Sequence, residues 1–284
     1  MTQYSSPSTL AEAVEILDSV PGVRLVAGCT DLMVGLMSDD ADAARSIPAV
    51  MNVLGIRELS GIRERDGFAE LGAASTFTEI RESNLVREKI PALAAAASEV
   101  GGWQIQNRAT LGGNVVNASP AGDSLPVLMA LDARAVAAGA GGEREIPYAE
   151  FHSGYRQTAL EDGELLAWLR VPIPESGTRQ FFRKVGTREA QSISKVVVAL
   201  AGRVDAGKVA DYRLSAGSVA PVPIRFPDLE REMIGREPNA ATADWAGREA
   251  AASVTPIDDV RSTAEYRSFA LEAVVRRLTL QLFE

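Results

Sequence analysis

The chain is poor in the side chains that carry chemistry. It has one cysteine, Cys29, and one histidine, His152, in 284 residues. One cysteine excludes an internal disulfide and an iron–sulfur cluster, which needs several thiolates. One histidine excludes the usual zinc ligand set, and a Ser-His or Cys-His pair would have to be built around this one residue. No apolar run approaches a membrane span. The N-terminus, MTQYSSPSTLAEAVEI, lacks the basic region and apolar core of a secretory signal. Together these absences point to the cytoplasm. A surplus of basic residues is also missing. The formal net charge is −9, which argues against nucleic acid and anionic membranes as partners. A chain so short of reactive side chains is expected to take its chemistry from a cofactor.

What is present is ordinary globular material. Apolar residues make up 46% and charged residues 24%, and the length is comfortable for two domains. Thr9 and Glu12 read as a capping box before a helix whose apolar residues are Leu10, Ala13, Val14, Ile16 and Leu17. A strand over 23–27 runs into Gly28-Cys29-Thr30-Asp31 and then a helix start at Leu32. Further strands are expected over 50–53 and 68–73. A second capping box is expected at Thr76 to Glu79, and a helix with proline in its first turn at 91–97. A short helix follows at 125–131. A hairpin is expected over 134–138 and 143–147, around Gly139-Ala140-Gly141-Gly142, and a strand over 165–171 is stopped by Pro172 and Pro174. Three strands then read over 181–184, 196–204 and 209–216. From Pro227 the chain reads as helices, the last from Thr263 to Phe283. The segment Pro172 to Gly177 divides a domain of residues 1–175 from one of residues 176–284.

Two glycine stretches are candidate sites. Ala27-Gly28-Cys29-Thr30-Asp31-Leu32 is either a phosphate-facing loop at a helix start or a plain strand-to-helix turn capped by Thr30 or Asp31. It has no lysine, so it is not a nucleotide-hydrolysing P-loop. Ala109 to Asp123, ATLGGNVVNASPAGD, is either a long surface loop or a binding segment. In the second case Thr110, Gly112, Gly113 and Asn114 offer hydroxyl, bare backbone and amide, and Asp123 an acceptor for a sugar hydroxyl. His152 reads as structural. Lys184, on an apolar-flanked strand, reads first as a snorkelling edge residue.

The two stretches together resemble a known pair. AGCTDL is similar to the AGGTDL pyrophosphate loop, and ATLGGNVVNASPAGD to the TIGGN…SP..D segment, of the FAD-binding (medium) subunit of the molybdenum hydroxylases. That family includes xanthine dehydrogenase, carbon monoxide dehydrogenase and aldehyde oxidoreductases. Gly154-Tyr155-Arg156-Gln157-Thr158, Glu164-Leu165-Leu166 with Val171-Pro172, Phe182-Arg183-Lys184 with Arg188, and Asp258-Asp259-Val260-Arg261 with Tyr266-Arg267 resemble further motifs in the same order.

The resemblance implies an α+β fold. It has a two-lobed FAD-binding domain of the vanillyl-alcohol-oxidase type, followed by a three-stranded antiparallel sheet packed with helices. It implies a non-covalent FAD. The backbone of Ala27, Gly28, Cys29, Thr30 and Asp31 would cradle the diphosphate, and Thr110, Leu111, Gly112, Gly113 and Asn114 would form the second wall. Asp123 would bind the adenosine ribose. Leu166 and Lys184 would lie near the cofactor, and Val100 and Ile193 would lie against the two faces of the isoalloxazine ring. It implies no catalytic side chain and no metal in this chain. Molybdopterin would sit on a large partner subunit and two [2Fe-2S] clusters on a small one, the whole a dimer of heterotrimers. Electrons would leave through this chain to NAD, oxygen or a quinone-like acceptor. Two departures stand out: Cys29 replaces the second glycine of the first loop, and Gln191-Ser192 stand where some NAD-reducing members carry acidic residues. The competing readings are a self-contained flavoprotein oxidase and a non-catalytic assembly subunit with a decayed flavin site.

Overall fold

The computed structural model describes residues 3–37, 47–188 and 190–284. The first sheet is small and parallel. Strand β1 (Gln3–Ser5) and strand β2 (Val23–Val26) flank β3 (Ala49–Asn52). Helix α1 (Leu10–Ser19) joins the first two strands, and α2 (Leu32–Met37) follows the second. Thr9 caps α1 by accepting from the Glu12 amide. The Glu12 carboxylate reaches one residue further back than expected, to the Ser8 amide at 2.7 Å.

The second sheet is antiparallel. It takes β4 (Ile62–Arg65), β5 (Phe68–Gly72), β6 (Arg134–Gly139), β7 (Gly142–Pro147) and, beyond a two-stranded hairpin β8 (His152–Gly154) and β9 (Gln157–Thr158), β10 (Leu165–Pro172). The spatial order is β4-β5-β10-β6-β7, so the chain leaves the sheet, builds helices, and returns. The sheet carries a charged ladder over its strands. Arg63 and Arg170 both meet Glu70, Arg134 and Arg170 both meet Glu145, and the Arg63 and Arg170 guanidiniums lie over Trp168 and Phe68, each 4.4 Å from the ring centre. These stems and rings cover apolar surface while the heads stay paired.

Between β5 and β6 run α3 (Phe77–Glu82), α4 (Asn84–Lys89), α5 (Pro91–Glu99), α6 (Trp103–Gln106), α7 (Leu111–Asn117) and α8 (Leu125–Ala130). Thr76 and Glu79 form the expected reciprocal capping box on α3. The α5 and α8 segments are buried as their apolar sequences require. Leu93, Ala96, Leu125 and Leu128 are all in the first core with β5 and β10. The stretch 109–123 is not the long loop of the alternative reading. Thr110 caps a two-turn helix through Asn117, which ends where Ala118 turns left-handed (φ 48°). Two adjacent glycines depress helix propensity, and tertiary contacts outweigh that cost here.

The C-terminal sheet has four strands where three were expected. To β11 (Arg179–Val185), β12 (Val196–Asp205) and β13 (Lys208–Gly217) it adds β14 (Ile224–Arg225), all antiparallel. The extra strand is two residues long and set among Pro221, Pro223 and Pro227, which hide it from any periodicity. Besides the short helix α9 (Tyr148–Phe151) between β7 and β8, helices α10 (Pro227–Met233), α11 (Ala240–Ala252) and α12 (Ala264–Phe283) complete the chain. Strand β12 is buried on both faces. Val196, Val198 and Leu200 face the core under α12, whereas Ala199 and Ala201 belong to the core of the preceding sheet. The period of two therefore joins the two cores through one strand.

Candidate functional site

The two glycine stretches, 80 residues apart, meet in space. Gly28 follows β2 and presses on the chain just before α7. A Cβ built there would stand 2.0 Å from the Arg108 carbonyl oxygen and 2.9 Å from the Ala109 Cα. No side chain fits in that gap. Cys29 next to it has φ +62°, the left-handed region that glycine enters freely and other residues enter at a cost. Its thiol donates to the Ala27 carbonyl at 3.4 Å. Met33 and Gly35 amides return to the Cys29 and Asp31 carbonyls, but the amides of Gly28, Cys29, Thr30 and Asp31 donate to nothing among the described residues. Four consecutive donors without a protein acceptor, at a turn entering a helix, suit an anion.

The second stretch differs. Leu111 N–H donates to Ser75 O at 2.9 Å, Gly112 N–H to Ala73 O at 2.8 Å, and Gly113 N–H to the Thr110 hydroxyl at 3.1 Å. The first-turn amides of α7 are therefore already committed to the fold. The first loop thus offers free amides, and the second forms a packed wall. Gly112 is needed for that packing, since a Cβ would lie 2.6 Å from the Ala73 Cβ. Asn114 is half-buried and its Oδ1 accepts from the Ser124 hydroxyl at 2.7 Å, which ties α7 to the start of α8.

Asp123, beside Ser124, is 6% exposed. One carboxylate oxygen accepts from the Lys184 ammonium at 2.7 Å and the other from the Ser194 hydroxyl at 2.5 Å. Burial pushes the Asp123 carboxyl above the usual carboxylate range, and the Lys184 ammonium and the Ser194 hydroxyl pull it back. Lys184 also donates to the Glu99 carbonyl at 2.9 Å. It is not an edge residue with its head in water: its side chain is 5% exposed.

Val100 is buried and follows directly on Glu99, and Ile193 directly precedes Ser194 and is 51% exposed. The segments carrying them touch, because the Gln191 amide donates to the Gly101 carbonyl at 3.1 Å. Leu166 lies in the first core, 5% exposed, next to a register shift in β10. His152 is structural in its surroundings. Its Nε2 lies 3.0 Å from the Val115 carbonyl, and Tyr148 and Phe151 meet its ring edge-on. Ser194 was missed by sequence reasoning, since a lone serine between strands carries no pattern. Among the described residues no group of three or more His, Cys, Asp or Glu could hold a metal ion, and no helix is long and apolar enough to cross a membrane.

A lysine-free glycine loop with free amides and a buried Lys–Asp pair, with a parallel sheet and an antiparallel one, suit the class of proteins that hold a dinucleotide without cleaving it. Comparison with known proteins names the family. Residues 1–174 match the FAD binding domain in molybdopterin dehydrogenase, and residues 181–282 match the CO dehydrogenase flavoprotein C-terminal domain. The chain belongs to the FAD-binding subunits of the molybdopterin dehydrogenases, and is thus an oxidoreductase component. It is 32% identical over 277 residues to the xanthine dehydrogenase FAD-binding subunit of Escherichia coli O157:H7, covering 97% of this chain and 94% of that one. It is 27% identical over 288 residues to the nicotinate dehydrogenase FAD-subunit of Eubacterium barkeri, covering 99% and 96%. Its fold superposes on a chain of carbon monoxide dehydrogenase from Hydrogenophaga pseudoflava with a TM-score of 0.91 at 27% identity, covering 97% of this chain and 95% of that one.

Proposed function

We propose that this chain holds FAD non-covalently and serves as the electron exit of a multi-subunit molybdenum hydroxylase. The observation that carries the reading is the first glycine loop, where four amides have no acceptor among the described residues at a turn closed against Arg108 and Ala109. Amides at a helix start neutralise a diphosphate without a lysine, as suits a group that is kept and never cleaved. Cys29 contributes backbone only, and no histidine lies at this loop, so nothing here calls for a covalent flavin link. Thr110, Leu111, Gly112, Gly113 and Asn114 supply a rigid second wall. Val100 and Ile193 would flank the isoalloxazine ring, and Leu166 and Lys184 would lie near the cofactor. Bound FAD supplies reversible one- and two-electron transfer.

In this reading, electrons arrive from the iron–sulfur clusters of a small subunit and pass to NAD, oxygen or a quinone-like acceptor. A large subunit carries the molybdopterin, and the assembly is a dimer of heterotrimers in the cytoplasm. The relatives are named for xanthine, nicotinate and carbon monoxide, three unlike substrates. That variety over one fold supports substrate recognition on another chain. We assign residues 1–175 to the two-lobed, vanillyl-alcohol-oxidase-type domain and 176–284 to the C-terminal one. The two matches, ending at 174 and starting at 181, support this division.

Purified full-length chain is expected to show the visible absorption of bound flavin, released intact by denaturation. A colourless chain that cannot be reconstituted with FAD would overturn the reading. Recovery from its host as a lone protein, with no molybdenum- or iron-bearing partner, would favour the self-contained oxidase.

A further inference from the structure

The Asp123–Lys184–Ser194 trio is buried more deeply than a simple ligand contact requires. The Lys184 side chain is 5% exposed, and Ser194 and Asp123 are 1% and 6% exposed. An ammonium has three N–H donors. Two of them are used, one by an Asp123 oxygen at 2.7 Å and one by the Glu99 carbonyl at 2.9 Å. The third has no acceptor among the described residues. A buried ammonium so held cannot swing away, because two acceptors from different elements fix it. Its carboxylate partner is fixed in turn, since its other oxygen accepts from Ser194 at 2.5 Å.

The neighbours of these atoms give the trio its direction. Glu99 directly precedes Val100, and Ser194 directly follows Ile193. These two are the residues assigned to the ring faces, and the Gln191–Gly101 hydrogen bond brings their segments together. Asp123 is thus tied to both ring-flanking segments. The competing role for Asp123, on the adenosine ribose, would keep its effect on FAD affinity in a chain without Lys184.

We propose that Asp123 and Ser194 are positioning residues for Lys184. They hold its third N–H toward the isoalloxazine ring as a fixed positive charge, and Ser194 does so only through Asp123. The inference rests on the FAD reading above and adds to it. A preorganised charge at the ring border stabilises the more negative, reduced form of a flavin, because it needs no rearrangement when the charge develops.

The test uses the full chain loaded with FAD. Ser194→Ala and Lys184→Met are compared with wild type, singly and together, by FAD titration and by spectroelectrochemical midpoint potential. Lys184→Met is expected to lower the potential and weaken FAD binding. Ser194→Ala should lower the potential by less, in the same direction, and weaken FAD about tenfold, as expected when one charge-assisted hydrogen bond is lost. In the Lys184→Met background, Ser194→Ala should change neither quantity. An undiminished Ser194→Ala effect in that background, or a Ser194→Ala chain with wild-type affinity and potential, overturns the proposal. Asp123→Asn provides an independent check: its loss of affinity should likewise vanish in the Lys184→Met background, and persistence there also overturns it. A wild-type chain that takes up no FAD would instead sink the underlying reading, so the two failures are distinguishable.

Discussion

Cys29 holds a backbone angle that its side chain opposes. At φ +62° an L-residue loses about 1–2 kcal/mol relative to right-handed backbone, whereas glycine loses about 0.5–1 kcal/mol in unfolded-state entropy. Cys29→Gly is therefore expected to stabilise the chain by about 1 kcal/mol. The gain should appear as a higher urea midpoint at unchanged slope, with FAD binding retained. His152 offers a second test at this scale. Burial holds its imidazole pKa below the usual 6.5, opposed by the hydrogen bond to Val115 O. Above about 6.5 both folded and unfolded chains are neutral at this residue and its contribution is complete. As pH falls through 6.5 toward the lower folded value, the unfolded chain takes up the proton first and stability is lost. His152→Gln keeps a donor for Val115 O and removes the titration. Its thermal midpoint should fall less than that of wild type between about pH 7 and about pH 5. As this is the only histidine in the chain, the difference between the two curves isolates it.

At the scale of elements, the two glycine stretches do different jobs. The loop after β2 supplies free donors, and helix α7 supplies a wall whose own donors are spent on Ala73, Ser75 and Thr110. Gly28→Ala places a methyl 2.0 Å from a carbonyl oxygen, which only backbone movement relieves. That movement separates the loop from α7 and misaligns the free amides. FAD affinity is expected to drop more than tenfold, read by flavin fluorescence on titration, and a wild-type affinity would contradict the shared cradle. Much of the element pattern was legible beforehand. The α3 capping box, the β6–β7 hairpin and the last helix all follow from local residue chemistry. Helix α7 was ambiguous because Gly112-Gly113 argue against helix, and β14 was hidden because two residues carry no period.

At the scale of the whole molecule, β12 joins what the proline-rich boundary divides. Ala199 and Ala201 complete the first core, Lys184 and Ser194 complete the surroundings of Asp123, and all four lie beyond residue 175. Residues 1–175 expressed alone are expected to bind a hydrophobic dye and to take up little FAD, because apolar surface and a buried carboxylate are both left without partners. Near-wild-type FAD uptake by that fragment would show the C-terminal part to be dispensable for the site. The matches to two adjoining families fit two units in sequence, and the packing brings residues of both around Asp123.

The sequence by itself determined what this chain cannot do alone. One thiol does not supply the several thiolates of an iron–sulfur cluster, and the lysine-free glycine loops suit a retained dinucleotide. It also determined most helices and strands, because periodicity and capping are local. The tertiary structure decided which amides are free, since that depends on which carbonyls lie across from them. It also decided the surroundings of Asp123. The partners of that carboxylate lie 61 and 71 residues away, and no local pattern encodes a hydrogen bond made only when a helix start, a strand and a loop pack together.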